Sequence, residues 1–190
     1  MELDLVPAGM GVHGNGSAFV LIPRHNLAMA SQRQLKLLAA GAPAPDFRLA
    51  RLDGGETSLA EIAVRGPALL VFFKISCPVC QMTLPFLGRI HATGSLPVYG
   101  ISQNDTRDTR EFMQEFGVSF PMLLDSEDSG FPASNAYGIS SVPTSFLVER
   151  DGSVSRVIEG WQKAEIERLG ALAGVAVFRP DDHVPAWKAG

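Results

Sequence analysis

The chain has 190 residues, 46% of them hydrophobic and 19% charged, with a formal charge of −4. That suffices for one full-sized domain with a core, is too short for two domains and a linker, and is not the composition of a disordered polyelectrolyte. No Lys/Arg cluster marks a nucleic-acid or anionic-membrane surface, and the longest apolar runs, such as Ala68 to Phe73, fall far short of the about 20 residues that cross a bilayer.

Residues 1–40 read as an amino-terminal arm. Gly9, Gly11, Gly14 and Gly16 crowd together between Pro7 and Pro23, and no period of two or 3.6 persists. Gly9 to Gly14 spells G-x-G-x-x-G. Pro7 breaks the strand that a dinucleotide site needs before it, and Gln34 and Lys36 stand where its acid belongs, so no cofactor is expected there. A short helix is expected over Ser31–Ala40, stopped by Gly41. The opening Met-Glu-Leu-Asp lacks the basic start and apolar run of a signal peptide. The expectation is therefore cytoplasmic, or periplasmic if the assigned start is wrong.

A domain over 41–175 follows. Phe47–Ala50 and Glu56–Ser58 flank Asp53-Gly54-Gly55 as a hairpin, with a helical turn near Leu59–Val64. The apolar run to Phe73 is a strand buried on both faces. Then come a helix from Pro78 to about Ala92, a strand over Pro97–Ser102, and a helix capped by Asp105 or Thr106 and ended by Gly117. A strand at Pro121–Leu124, a loop with a short helix over 125–141, a second hairpin around Asp151-Gly152 and a helix over Lys163–Ala173 complete it. The order predicts an α/β fold, with a mixed central sheet, helices on both faces and an amino-terminal hairpin. Residues 176–190 read as an extended, partly loose tail.

The chain has two cysteines, Cys77 and Cys80. A disulfide closing so small a loop stabilises little, so the pair is read as reactive. It follows a buried strand and opens a helix. Pro78 takes the first helical position, where its missing N–H costs nothing. Cys77 then sits at the helix N-cap, with free N–H groups and the positive dipole end facing its sulfur, an environment that favours a thiolate. Cys80 lies one turn in and more buried. The asymmetry assigns Cys77 as attacking and Cys80 as resolving thiol. A closed zinc site needs four ligands, and the spacing places none of His13, His25, His91 and His183 beside the pair, so no metal is expected.

Val71-Phe-Phe-Lys-Ile-Ser-Cys77-Pro-Val-Cys80, with Pro85 beyond it, resembles the redox centre of the thioredoxin superfamily, and Val142-Pro143-Thr144 resembles its cis-proline loop. Pro43-Ala-Pro45-Asp-Phe47 and the wide spacing from Cys80 to Pro143 are similar to the TlpA-like branch, which overlaps the redoxin and AhpC/TSA group and carries an extra strand-helix insert. The resemblance implies a thioredoxin-like fold, a cis Pro143, and a thiol-disulfide oxidoreductase whose redox-active disulfide Cys77–Cys80 needs no other cofactor. It implies substrate contacts from Val142, Pro143, Ser76 and Pro78. The implied partners are protein disulfides or thiols and an electron donor, either a thioredoxin reductase-like protein or a small thiol.

Three positions depart from the pattern. Ser76 stands where most relatives have Trp, Val71 where thioredoxins bury an Asp, and Thr83 where TlpA-like proteins have Glu. Cys80 then lacks an evident protein base. Lys74 is the candidate for tuning the Cys77 thiol. It also stands where peroxiredoxins carry Thr, which weighs against the alternative of a peroxiredoxin-like thiol peroxidase. A redox-inactive thioredoxin-fold binding protein is the third reading. His91 is expected as a favourable charge at a helix end, and Asp125 and Asn104 as turn or cap residues. Some redoxin-like relatives continue past a similar tail into a cysteine or selenocysteine. The nucleotide sequence after Gly190 decides that point.

Overall fold

The computed structural model describes residues 36–190, so the Gly9–Gly14 motif and the first half of the helix expected over Ser31–Ala40 lie outside the described residues. The second half is not helical. Residues 36–39 carry no regular structure. The Leu38 N–H donates to the Tyr137 carbonyl at 3.0 Å and the Gly41 N–H to Val154 at 2.7 Å, long-range partners in place of helical ones.

The elements otherwise follow the expected order. Strands β1 (Arg48–Arg51) and β2 (Glu56–Ser58) form the first hairpin, and α1 (Leu59–Ala63) opens with a Ser58–Glu61 capping box. Then come β3 (Ala68–Phe73), α2 (Pro78–His91), β4 (Val98–Ser102), α3 (Thr106–Phe116) and β5 (Met122–Leu124). A 3₁₀ turn at Glu127–Ser129 and α4 (Pro132–Tyr137) lead to β6 (Thr144–Val148), β7 (Val154–Glu159), β8 (Trp161–Gln162), α5 (Lys163–Leu172) and β9 (Trp187–Lys188).

Seven strands form one mixed sheet in the order β2-β1-β5-β4-β3-β6-β7, with β3, β4 and β5 parallel and the flanking pairs antiparallel. All six residues of β3, an interior strand, are buried, and the period of two sorts them onto two cores. Leu69, Val71 and Phe73 pack with Leu84, Leu87 and Ile90 of α2, Phe112 of α3, and Ile166 and Leu169 of α5. Ala68, Leu70 and Phe72 pack with Leu59 and Ile62 of α1 and with Ala133 and Tyr137 of α4. Helices therefore cover both faces. The parallel β3–β4 pair delivers its carboxyl ends, and the loop after β3, to one edge of the sheet. There β6 runs antiparallel to β3 and brings its own first residue, Thr144, opposite Phe72.

The tail is not loose. Strand β9 pairs antiparallel with β8, Trp161↔Lys188 and Gln162↔Trp187. Val177 is buried, and Phe178 stacks on Phe86 and Trp161 at ring-centroid distances of 5.0 and 5.8 Å. The Arg89 guanidinium donates to the Val177 carbonyl and pairs with Asp182. The fully buried Trp161 donates its indole N–H to the Pro185 carbonyl at 2.6 Å. The partners of the tail lie far away in sequence, which is why its own mixed polarity reads as loose.

Among the described residues no helix is long and apolar enough to cross a membrane, and no three or more His, Cys, Asp or Glu side chains are grouped so as to hold a metal ion.

Candidate active site

Cys77 is the N-cap of α2 and Pro78 its first residue, as the strand-loop-helix pattern requires. The Cys77 sulfur accepts the Cys80 backbone N–H at 3.3 Å, so one orphan donor of the helix terminus points at it. As a thiol it donates to the Val142 carbonyl at 3.2 Å. Cys77 is half-buried and Cys80 fully buried, and both thiols are free. Burial, reinforced by the hydrogen bond with Cys77, pushes the Cys80 thiol far above its ordinary range. The two sulfurs of one short motif are thus chemically unequal.

The loop before Cys77 is clamped from two sides. The Ile75 N–H donates to Asn104 Oδ1 at 3.1 Å, and the Ile75 carbonyl accepts the Gln81 side-chain N–H at 2.9 Å. The Cys77 N–H closes the turn onto the Lys74 carbonyl at 3.2 Å. Sequence reading put Asn104 in a turn or cap and missed Gln81. The two bonds span 29 and 6 residues, and no local pattern announces them.

The Val142–Pro143 bond is cis. Pro143 accepts the Gly160 N–H at 2.8 Å, and the Thr144 hydroxyl donates to Ser141, which holds the loop at the head of β6. Val142 is thereby brought to Cys77. Ser76 and Pro78 are exposed beside the sulfur. Lys74 is exposed too, and lines a cleft of about 250 Å³ with Gln103, Phe131, Asn135, Ser141 and Val142. Phe131, at φ +53 in the left-handed region, is strained at the start of α4. Asp125 acts as the cap it was read as. Buried, its two carboxylate oxygens accept the Ala133 and Ser134 N–H groups at 2.9 and 2.7 Å.

The departures have structural consequences. Val71 is buried in the apolar core, and the buried Thr83 donates back to the Val79 carbonyl of its own helix at 2.6 Å. Neither supplies a base. The polar neighbours acting on the Cys80 sulfur are Cys77 and the Lys74 backbone, with no carboxylate among them. His91 corrects its expectation. Its Nδ1 accepts the Val98 N–H at 3.0 Å, which requires the neutral ring, and burial moves its pKa down. It joins the end of α2 to β4 instead of offering a charge to the helix terminus.

Residues 40–157 match the model of the AhpC/TSA family. A thiol-disulfide oxidoreductase ResA from Geobacillus thermodenitrificans is 29% identical over 132 residues, which are 67% of this chain and 74% of that one. The crystal structure of a thiol:disulfide interchange protein DsbE, described as putative, from Chlorobium tepidum has a TM-score of 0.61 and 26% identity, covering 71% of this chain and 95% of that one. The peroxidoxin BcpB from Mycobacterium tuberculosis, at 20% identity and a TM-score of 0.58 over 71% of this chain and 96% of that one, is alike in fold alone. The chain belongs to the AhpC/TSA family. It is an oxidoreductase with the thioredoxin-like fold, of the TlpA-like redoxin branch.

Proposed function

We propose that the protein exchanges thiols and disulfides through a two-cysteine cycle. The Cys77 thiolate attacks one sulfur of a substrate disulfide, and the other sulfur leaves as a thiolate that takes a proton. Cys80 then loses its proton and attacks the Cys77 sulfur of the mixed disulfide, releasing the second substrate thiol. Two electrons and two protons pass to the substrate, and the Cys77–Cys80 disulfide that remains is the only redox group the cycle needs. The observation that carries this reading is the inequality of the pair. Cys77 stands at a helix N-terminus facing an N–H, and Cys80 is held as a buried neutral thiol. Lacking a nearby carboxylate, Cys80 passes its proton to water or to Lys74.

Val142, Pro143, Ser76 and Pro78 form the surface a substrate meets, and Lys74 places a cation in the loop before Cys77. The disulfide of a protein is the substrate class that the named relatives favour. A thioredoxin reductase-like protein or a small thiol returns the electrons. Compartment sets the direction. In a reducing compartment the pair rests reduced and works as a reductant, and in an oxidising compartment it runs the other way.

The test is Cys80→Ser. It accumulates a mixed disulfide between Cys77 and substrate, visible as a mass adduct that dithiothreitol removes. Continued multiple turnover by this variant without external thiol overturns the cycle. Hydrogen peroxide offered against a protein disulfide separates the peroxidase reading. There Lys74 occupies the place of the peroxiredoxin Thr, and the disulfide is expected to react first.

A further inference from the structure

The carboxyl-terminal segment reaches the redox centre from outside the stretch that the family model matches, residues 40–157. After β9 pairs with β8, the chain runs along Gly160 and ends against Val142. A Cβ built on Gly160, at φ +66, would stand 2.4 Å from the Lys188 carbonyl oxygen and 2.8 Å from the Gly190 nitrogen. One built on Gly190 would stand 2.7 Å from the Val142 carbonyl oxygen and 2.9 Å from its carbon. Side chains do not approach so closely, so backbone lies on backbone here, the circumstance that calls for glycine. The same Val142 oxygen is 3.2 Å from the Cys77 sulfur. That sulfur and a Cβ at position 190 can therefore be no more than about 5.9 Å apart.

We infer that Trp187–Gly190 is the specificity element of the site. It occupies the backbone flank of Val142 that an extended substrate peptide would pair with, and leaves Cys77 open on the side of the exposed Ser76 and Pro78. The inference rests on the disulfide-exchange reading above and narrows its substrate class. A small disulfide reaches Cys77 from that side without disturbing the tail. A disulfide within an extended polypeptide must first displace β9 from β8. The anchors behind the segment resist this, because the Trp161–Pro185 and Arg89–Asp182 bonds hold the tail up to its last few residues.

Two measurements test it. The first compares the full chain with a variant ending at Ala186, using bis(2-hydroxyethyl) disulfide and a peptide that carries one disulfide with extended flanks. The full chain is expected to favour the small disulfide. Shortening is expected to raise the peptide rate about tenfold, the size of a modest binding difference, and to leave the small-disulfide rate unchanged. An unchanged ratio, or a fall in the peptide rate that would make the segment a platform for substrate, overturns the inference. If the full chain reduces neither probe, the exchange reading fails. The second measurement is independent of turnover. In a Cys80→Ser background, Cys77 is loaded as a mixed disulfide with either 2-mercaptoethanol or the extended peptide, and amide hydrogen exchange of residues 187–190 is followed. The peptide adduct is expected to speed exchange there and the small adduct to leave it unchanged; equal exchange in the two adducts overturns the inference.

Discussion

Two irregular segments meet at Val142, and they are held by different physics. The loop Lys74–Cys80 is fixed from nearby: a buried strand ends, a proline opens a helix, Cys77 caps it, and Gln81 from the next turn returns to Ile75. The tail after α5 is fixed from afar. Its aromatic Phe178, its carboxylate at Asp182 and its strand β9 find partners on α2 and β8. A segment of the first kind keeps its course when one long-range contact, such as Asn104 to Ile75, is lost, though its placing suffers. One of the second kind does not, and variants can separate the two.

The largest effect is expected from Trp161→Ala. This side chain is fully buried between Phe86 and Phe178 and also anchors Pro185. Removing it costs about 3–5 kcal/mol, read as a lower urea midpoint. It also frees the tail, so limited proteolysis cuts after residue 178 sooner while the 74–80 loop stays protected. Asn104→Ala acts on the other segment. It leaves the part-buried Ile75 N–H without an acceptor and costs about 1–2 kcal/mol. Disulfide exchange at Cys77 slows and proteolysis of the tail is unchanged. Asn104→Asp, which keeps an acceptor oxygen, restores most of the rate.

Two pH effects are smaller and act in different ranges. The Asp182 carboxyl, hydrogen-bonded by Arg89 and by the Arg179 N–H, is held down to about 2 from its ordinary value of 3.8. A depressed carboxylate stabilises above its unfolded value and loses that contribution as the pH falls through the folded one. Tail docking is therefore expected to be level above pH 3.8 and to weaken from there toward pH 2, followed by Trp187 fluorescence. Asp182→Asn removes this dependence. For His91 burial sets the folded pKa below the ordinary value of 6.5, so the unfolded chain takes up a proton that the native chain refuses. Stability is full above pH 6.5 and falls as the pH drops below it. In His91→Gln the urea midpoint should vary less between about pH 7 and 5.

The order of strands and helices, both hairpins, and Cys77 as the cap of α2 were legible because each rests on residues within a few positions of one another: the continuous apolar run of β3, Pro78 after Cys77, Asp105 before α3, Gly117 after it. The thioredoxin-like architecture followed from that order and from the motif around Cys77. What failed was long-range. Residues 36–39 read as helix because nothing nearby shows that Leu38 bonds to Tyr137. His91 was read as a charge at a helix end because Val98, whose N–H fixes the ring as neutral, belongs to the next strand.

The sequence by itself thus determined the fold class, the position of the cysteine pair at the start of a helix and the unequal placing of its two thiols, since capping, periodicity and turn chemistry are local. Only the tertiary structure decided what surrounds that pair. Asn104 grips the loop, Val142 lies against the Cys77 sulfur, and the tail crosses Gly160 to end on the same carbonyl. These contacts join residues dozens of positions apart, and they form only once the sheet has brought its edges together.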